Sequence, residues 1–288
     1  MVFRGFAVVA RYVKKFLEMH GYNIHLGAWV DIRIMRFGSP VLVFDFQIGT
    51  WLQHRPPKRG VPCALYVVAE GRIPREARNW LSQYDYLFCP SRWVREKLQE
   101  IDLDCIYMPH GIDTELFKPL PLPKTLDVLS IGIHSSPWDF RKYMDKVPEV
   151  CRGLKYYAHT QPTLPYEGLP VLYNITKTYL SLSASESFNI PVLEANACGV
   201  PVIYNDAPAT NEHAYGVGIP PRRIYEVCVE GYYITIHEPN IPRIRDVLLE
   251  LLRKPKTIEE MGKKAREHAL RYDYRKTYRP LLEILPKP

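Results

Sequence analysis

The stretch Ser183-Ala184-Ser185-Glu186-Ser187-Phe188-Asn189-Ile190-Pro191-Val192-Leu193-Glu194-Ala195-Asn196-Ala197-Cys198-Gly199-Val200-Pro201-Val202-Ile203 decides the fold of this chain. A strand runs into a polar loop, a short helix starts near Pro191, and Gly199 ends it before the next strand. Proline is tolerated in a first helical turn because its missing N–H has no partner there anyway. The small residues Ala195, Ala197 and Gly199 let the helix lie close to a sheet. The backbone N–H groups of Ser187, Phe188, Asn189 and Ile190 then point outward from a helix N-terminus, an arrangement that binds anions. Glu186 lies in that loop and Glu194 about one turn into the helix. Carboxylates accept hydrogen bonds from sugar hydroxyls. Phosphate donors beside hydroxyl acceptors suit a nucleoside-diphosphate sugar. The plainer alternative makes Glu186 a solvated loop residue and Glu194 a helix-terminal charge favoured by the dipole.

Outward from this stretch, short β-branched or aromatic runs alternate with helical segments, which reads as α/β with parallel sheets. Before it, Ala7 to His20 has helical spacing. Strand-like runs follow at Tyr22–Leu26, Pro40–Phe46, Cys63–Ala69, Tyr84–Cys89 and Cys105–Met108, with helices at Pro74–Leu81 and Ser91–Ile101. Lys118-Pro119-Leu120-Pro121-Leu122-Pro123-Lys124 then reads as an extended, semi-rigid linker. The alternation restarts with strand Leu126–Gly132, helix Lys142–Cys151, and strands Leu154–Ala158 and Thr178–Leu182. Helix Pro191–Cys198 and strand Pro201–Tyr204 belong to the opening stretch. Ile224–Val229 and Tyr232–Ile236 form a hairpin around Glu230-Gly231. The tail from Ile241 is helical, with breaks near Pro255 and Asp273. Two α/β lobes therefore flank the prolines.

The chain has 288 residues, 47% of them hydrophobic and 24% charged, enough for two buried cores and unlike a disordered tail. No apolar run reaches the roughly 18–20 residues of a membrane span. A secretory signal pattern is missing from the start, so a soluble, cytoplasmic protein is expected. The net charge of +7 suits anionic small molecules or an anionic membrane face and does not by itself argue for nucleic acid. The six cysteines form no C-x-x-C pair, which leaves zinc ribbons and thioredoxin-like sites unsupported and favours reduced, buried thiols.

The opening stretch resembles the GT-B glycosyltransferases, in particular the large retaining family 4. That family's pattern is S-x-x-E-[GS]-F-G-x-x-x-L-E-A-x-A-x-G-x-P-V-I. The match covers Ser183, Glu186, Phe188, Leu193, Glu194, Ala195, Ala197, Gly199, Pro201, Val202 and Ile203, and departs at Asn189, where glycine is usual. Asparagine tolerates the left-handed backbone better than most residues. Met108-Pro109-His110-Gly111-Ile112-Asp113, with Phe117 and Pro119, is similar to the family's inter-lobe segment P-x-G-[VI]-D-x-x-x-F-x-P.

The resemblance implies two Rossmann-like lobes: an acceptor-side lobe over residues 1–118, shortened at its first strand, and a donor lobe over 119–270. A final helix over 271–288 packs back on the first lobe. It further implies sugar transfer from a nucleoside-diphosphate co-substrate to an acceptor hydroxyl, with retention, no further cofactor and no metal. Glu194 would hold the ribose hydroxyls, Glu186 the donor sugar, and the amides of residues 187–190 the diphosphate. The family's glycine-arginine is absent, since Ile133 follows Gly132, so Arg141 and Lys142 would supply the positive charge, Lys142 aligning with the family lysine. His110 is placed to touch the donor, and Glu70 to orient the acceptor hydroxyl or act as a base. A glycan, lipid or small molecule is the expected acceptor. Peripheral membrane contact through Arg11, Lys14 and Lys15 with Phe6, Val9, Val13 and Phe16 is a further expectation. The alternatives are a degenerate sugar-nucleotide-binding scaffold, an epimerase or phosphorylase of the same architecture, and a DNA-glucosylating enzyme.

Overall fold

A computed structural model describes residues 5–26, 32–36, 39–46, 61–132, 137–161, 163–229 and 231–285. The chain divides into two compact units, one gathering the residues up to Gly111 with those from Asp273 on, the other running from Ile112 to Tyr272. The boundary falls ahead of the proline stretch, not within it at 118/119. The reason is Asn174, whose carboxamide accepts from Leu120 N (2.7 Å) and donates to Lys118 O (2.9 Å), tying the prolines to the second unit.

In the first unit, α1 (Gly5–Met19) is followed by β1 (Asn23–Leu26), β2 (Ile32–Arg36), β3 (Ser39–Phe46) and β4 (Cys63–Tyr66). Then come α2 (Ala77–Leu81), β5 (Tyr86–Cys89), α3 (Arg92–Gln99) and β6 (Ile106–Tyr107). The sheet runs in sequence order from β1 to β6. It is mixed rather than parallel: β1, β2 and β3 pair antiparallel, and only β3 to β6 are parallel. The sequence reading passed over β2, although Ile32 and Ile34 alternate with arginines there. Ser91 caps α3 as expected of a helix-starting serine, its Oγ accepting from Val94 N.

Val9, Val13, Phe16 and Leu17 of α1 are fully buried, and Tyr12 stacks on Tyr274 at 5.2 Å. Val9, Val13 and Phe16 of the face expected to meet a membrane are thus spent on the core of this unit, while Lys14 pairs with Glu18; the side chain of Phe6 lies outside the described ones. Among the described residues no helix is long and apolar enough to cross a membrane. The expected loss of a first strand concerns residues outside the described ones.

Cys89 and Cys105 form a disulfide, with Cα atoms 6.2 Å apart, which corrects the expectation of reduced thiols for this pair. Absence of C-x-x-C speaks to metal sites; it says nothing about cysteines that neighbouring parallel strands bring side by side. Cys63, Cys151 and Cys198 are buried thiols outside this disulfide, and the Cys228 thiol is exposed. A cross-link closing a loop of this length constrains the unfolded chain by about 3 kcal/mol. Adding a reductant is therefore expected to lower the guanidinium midpoint of the unaltered chain and leave a Cys89→Ser variant unmoved. Equal shifts in both would mean the bond contributes nothing.

The second unit begins with β7 (Leu126–Ile131), α4 (Val147–Val150), β8 (Tyr156–His159), α5 (Leu169–Asn174) and β9 (Thr176–Ser181). It continues through α6 (Ile190–Ala197), β10 (Val202–Asn205), β11 (Gly216–Ile219), β12 (Arg223–Val229) and β13 (Tyr232–Glu238) to α7 (Ile241–Leu252) and α8 (Pro255–Ala269). Two short helices, α9 (Tyr274–Thr277) and α10 (Pro280–Ile284), return to the first unit, where the Tyr278 hydroxyl accepts from Gly111 N at 3.0 Å. The five-stranded sheet, in order β11-β10-β9-β7-β8, is parallel throughout. Its core joins Val128, Leu180 and Ile203 to Ile244 and Leu248 of α7. β12 and β13 form the expected hairpin, with Gly231 at φ +85° in the turn. β11 went unread because its Gly216-Val217-Gly218-Ile219 carries few strand-forming side chains.

Candidate functional site

The site is built on α6. Asn189 precedes the helix with φ +81° and ψ +65°, the left-handed conformation that glycine supplies most readily. Its side chain keeps that geometry, donating from Nδ2 to Ser181 Oγ (3.0 Å) and Thr210 Oγ1 (3.3 Å). At the other end Gly199 adopts φ +72° and its backbone lies against Gly262 of α8, where a β-carbon on Gly262 would collide with Gly199 O. The small residues of α6 thus serve a close approach to α8 as well as to the sheet.

Phe188 does not reach outward. Its ring is 2% exposed and lies flat on the imidazole of His213, with centroids 3.9 Å apart and planes within 3°. Tyr272 meets both rings edge-on. The two nitrogens of His213 face the carbonyls of Ala209 (3.0 Å) and Asn189 (3.2 Å). Burial pushes its pKa down to about 4, against the pull of those carbonyls, so at neutral pH the ring carries one N–H and donates to one of them. His213 was missed in the sequence because nothing local marks a histidine 24 residues from the backbone it supports.

Glu186 is buried, and both cations named from the sequence converge on it. Lys142 Nζ pairs with Oε1, and Arg141 Nη1 lies 3.5 Å from Oε2. Burial alone would raise the Glu186 carboxyl; Lys142 and Arg141 more than offset it and hold it below the usual carboxylate range. The expected helix from Lys142 to Cys151 is replaced by 3₁₀ turns at Pro137–Lys142 and Met144–Lys146, then by α4. Tyr143 between the turns has φ +49°. Arg141 and Lys142 therefore end a 3₁₀ turn instead of opening a helix. Backbone bonds fix the turn to the loop: Ala184 N donates to Arg141 O at 2.8 Å, and Ala184 O accepts from His237 N at 2.9 Å. Gly132 is packed so that a β-carbon there would meet Met144 Sδ at 2.6 Å, which makes it a close-approach residue beneath the turn.

Glu194 is buried, 2% exposed. Tyr166 donates its hydroxyl to Oε1 at 2.6 Å and Tyr173 to Oε2 at 2.9 Å. Burial raises the carboxyl to about 7 although both hydroxyls pull it down. Neither tyrosine was singled out from the sequence, since they precede Glu194 by 28 and 21 positions and lie outside the motif.

Of the remaining residues, Ser187 and Ile190 are half-buried at the mouth of the loop. Glu70 and His110 belong to the first unit. Glu70 is half-buried in the turn after β4. His110 is buried, its ring stacked on Tyr66 at 5.1 Å with Nδ1 3.1 Å from the tyrosine hydroxyl. Among the described residues no group of three or more His, Cys, Asp or Glu is arranged to hold a metal.

Residues 152–268, which include α6 and both glutamates, match the family model described as Glycosyl transferases group 1. The "Putative glycosyltransferase 41" of Sulfolobus islandicus filamentous virus is 27% identical over 179 residues, 56% of this chain and 53% of its own. The "Putative glycosyltransferase ORF315" of Acidianus bottle-shaped virus is 28% identical over 218 residues, 68% of this chain and 67% of its own. The chain thus spans about half to two thirds of the length of these relatives. Among solved structures, sucrose-phosphate synthase from Thermosynechococcus elongatus superposes with a TM-score of 0.62 at 14% identity, over 97% of this chain and 77% of that one. Anabaena HepE, in complex with UDP and glucose, superposes at 0.59 and 12% identity, over 77% and 71%. At such identities the likeness concerns the fold, and that fold is GT-B.

Proposed function

We propose that the chain is a glycosyltransferase moving a sugar from a nucleoside-diphosphate sugar to an acceptor hydroxyl, with retention and without a bound metal. The matched domain and the named relatives support the enzyme class. The observation that carries the finer reading is the convergence of Lys142 and Arg141 on Glu186 beside the start of α6. Departure of a nucleoside diphosphate leaves negative charge on its oxygens, and fixed cations with helix N–H groups stabilise such charge where it develops. Lys142 and Arg141 exchange part of their pairing with Glu186 for the diphosphate. That frees lone pairs of the carboxylate for the donor sugar's hydroxyls. Glu194 takes the ribose hydroxyls, the amides of residues 187–190 the phosphates, and Glu70 the acceptor hydroxyl. The two cations and the helix N–H groups share the leaving group's charge, which supports transfer without a bound metal. Complexes of HepE with UDP and glucose put uridine diphosphate donors first among those to try, and a glycan is the acceptor class we favour.

The test is a thermal-shift screen of the full chain with UDP-, GDP-, ADP- and TDP-sugars, followed by a transfer assay with the donor that stabilises most. A ligand bound only by the native state raises the melting temperature. Stabilisation by one nucleotide class, and turnover that survives EDTA, is the expected result. No stabilisation by any donor would overturn the reading.

A further inference from the structure

We infer that Tyr166 and Tyr173 are positioning residues that hold Glu194 ionised and correctly turned toward the nucleotide's ribose hydroxyls. The inference rests on the donor reading above and deepens it. An ionised carboxylate offers about four lone-pair sites on its two oxygens. The two tyrosines occupy one on each oxygen, which fixes the carboxylate and leaves a further lone pair on each oxygen for a vicinal diol.

Their rings are themselves held. Tyr166 belongs to the 3₁₀ turn Tyr166–Gly168 and Tyr173 to α5. Both are buried and meet Phe117 edge-on, at 5.3 and 6.0 Å. The orientation of Glu194 is thus set by the segment before β9 and not by its own helix. This differs from Glu186, which is matched by two cations; among the described residues the hydrogen-bond partners of Glu194 are neutral hydroxyls.

The other titratable groups nearby do not take over this task. Tyr179 of β9 turns its hydroxyl to Ile131 O at 3.4 Å. The Cys198 thiol, one turn along α6, is pushed up by burial and stays neutral. Arg266 of α8 donates to Phe117 O, Ala197 O and Thr114 O. Lys124 acts on Cys198. Because burial brings Glu194 to about 7, each hydroxyl decides how much of it is ionised at neutral pH.

Nucleotide affinity should therefore fall as pH drops through neutrality, since a protonated carboxyl accepts hydrogen bonds poorly. Deleting one hydroxyl removes a bond to the charged form and should move that midpoint up by about one pH unit. Calorimetric titration of the full chain between pH 6 and 9, with UDP, GDP, ADP and TDP as probes, reads this out with whichever binds best. Tyr166→Phe and Tyr173→Phe should each bind about five-fold more weakly at pH 7 and recover at pH 9, as a one-unit shift requires. Loss of packing alone would not be rescued by base. Tyr179→Phe should keep the original midpoint, and Glu194→Gln should bind weakly and lose this pH dependence. If Glu194→Gln weakens binding and the Phe variants titrate like the unaltered chain, the inference fails and the donor reading stands. If none of the probes binds, or Glu194→Gln binds as tightly as the unaltered chain, both fail.

Discussion

Replacing Lys142 with alanine is expected to slow sugar transfer about 10²- to 10³-fold, the loss typical of removing one fixed donor from a site of developing charge. The same change leaves Glu186 buried with Arg141 as its remaining cation at 3.5 Å. Breaking a buried ion pair from one side destabilises by about 3–5 kcal/mol, and the retained arginine should keep the loss toward the low end. The two effects are separable. A Lys142→Met/Glu186→Gln double variant removes the carboxylate left short of its lysine but leaves Arg141 without its acidic partner, so stability should recover in part while transfer stays slow. Transfer rates and urea midpoints of the single and double variants check this. Recovery of the rate along with stability would show that the pair only holds the loop, and that neither residue acts on the donor.

The second large effect concerns the loop's support. Phe188→Ala removes a ring packed flat on His213 and should cost about 3–5 kcal/mol, as deletion of a buried aromatic does. Phe188→Leu keeps part of the volume and should cost less. The backbone it braces includes Asn189, whose left-handed conformation and carbonyl contact with His213 shape the start of α6. Weaker nucleotide affinity should follow in Phe188→Ala at temperatures where the chain is still folded. A denaturation midpoint within error of the unaltered chain would mean that the ring is not packed this way. The packed ring makes Phe188 a structural plug, so the donor contact proposed for it narrows to its backbone amide.

Features with a local physical cause were legible beforehand. Pro191 and Gly199 bracket α6, Asn189 stands where a left-handed residue is needed, and Ser91 caps α3. The hairpin around Gly231 and the tail breaks at Pro255 and Asp273 carry equally local signals. Asp273 caps α9 by accepting from Arg275 N. Where the local signal was weak, the reading slipped. The helix expected at Lys142 breaks into 3₁₀ turns because Tyr143 takes a left-handed angle that nothing in its neighbourhood announces.

Within this chain, composition and spacing marked the α/β alternation and the two glutamates, and the family resemblance pointed to the pair of cations that lie beside one of them. Tertiary structure decided everything that depends on which distant residues become neighbours. Arg141 and Lys142 meet a carboxylate 45 and 44 positions away, Tyr166 and Tyr173 close over the other, and Cys89 finds Cys105 across a strand pair. Backbone preferences act over a few residues and leave a mark in the sequence. Burial, charge pairing and the resulting shift of a carboxyl toward neutrality arise only when the folded chain excludes water from groups that were far apart.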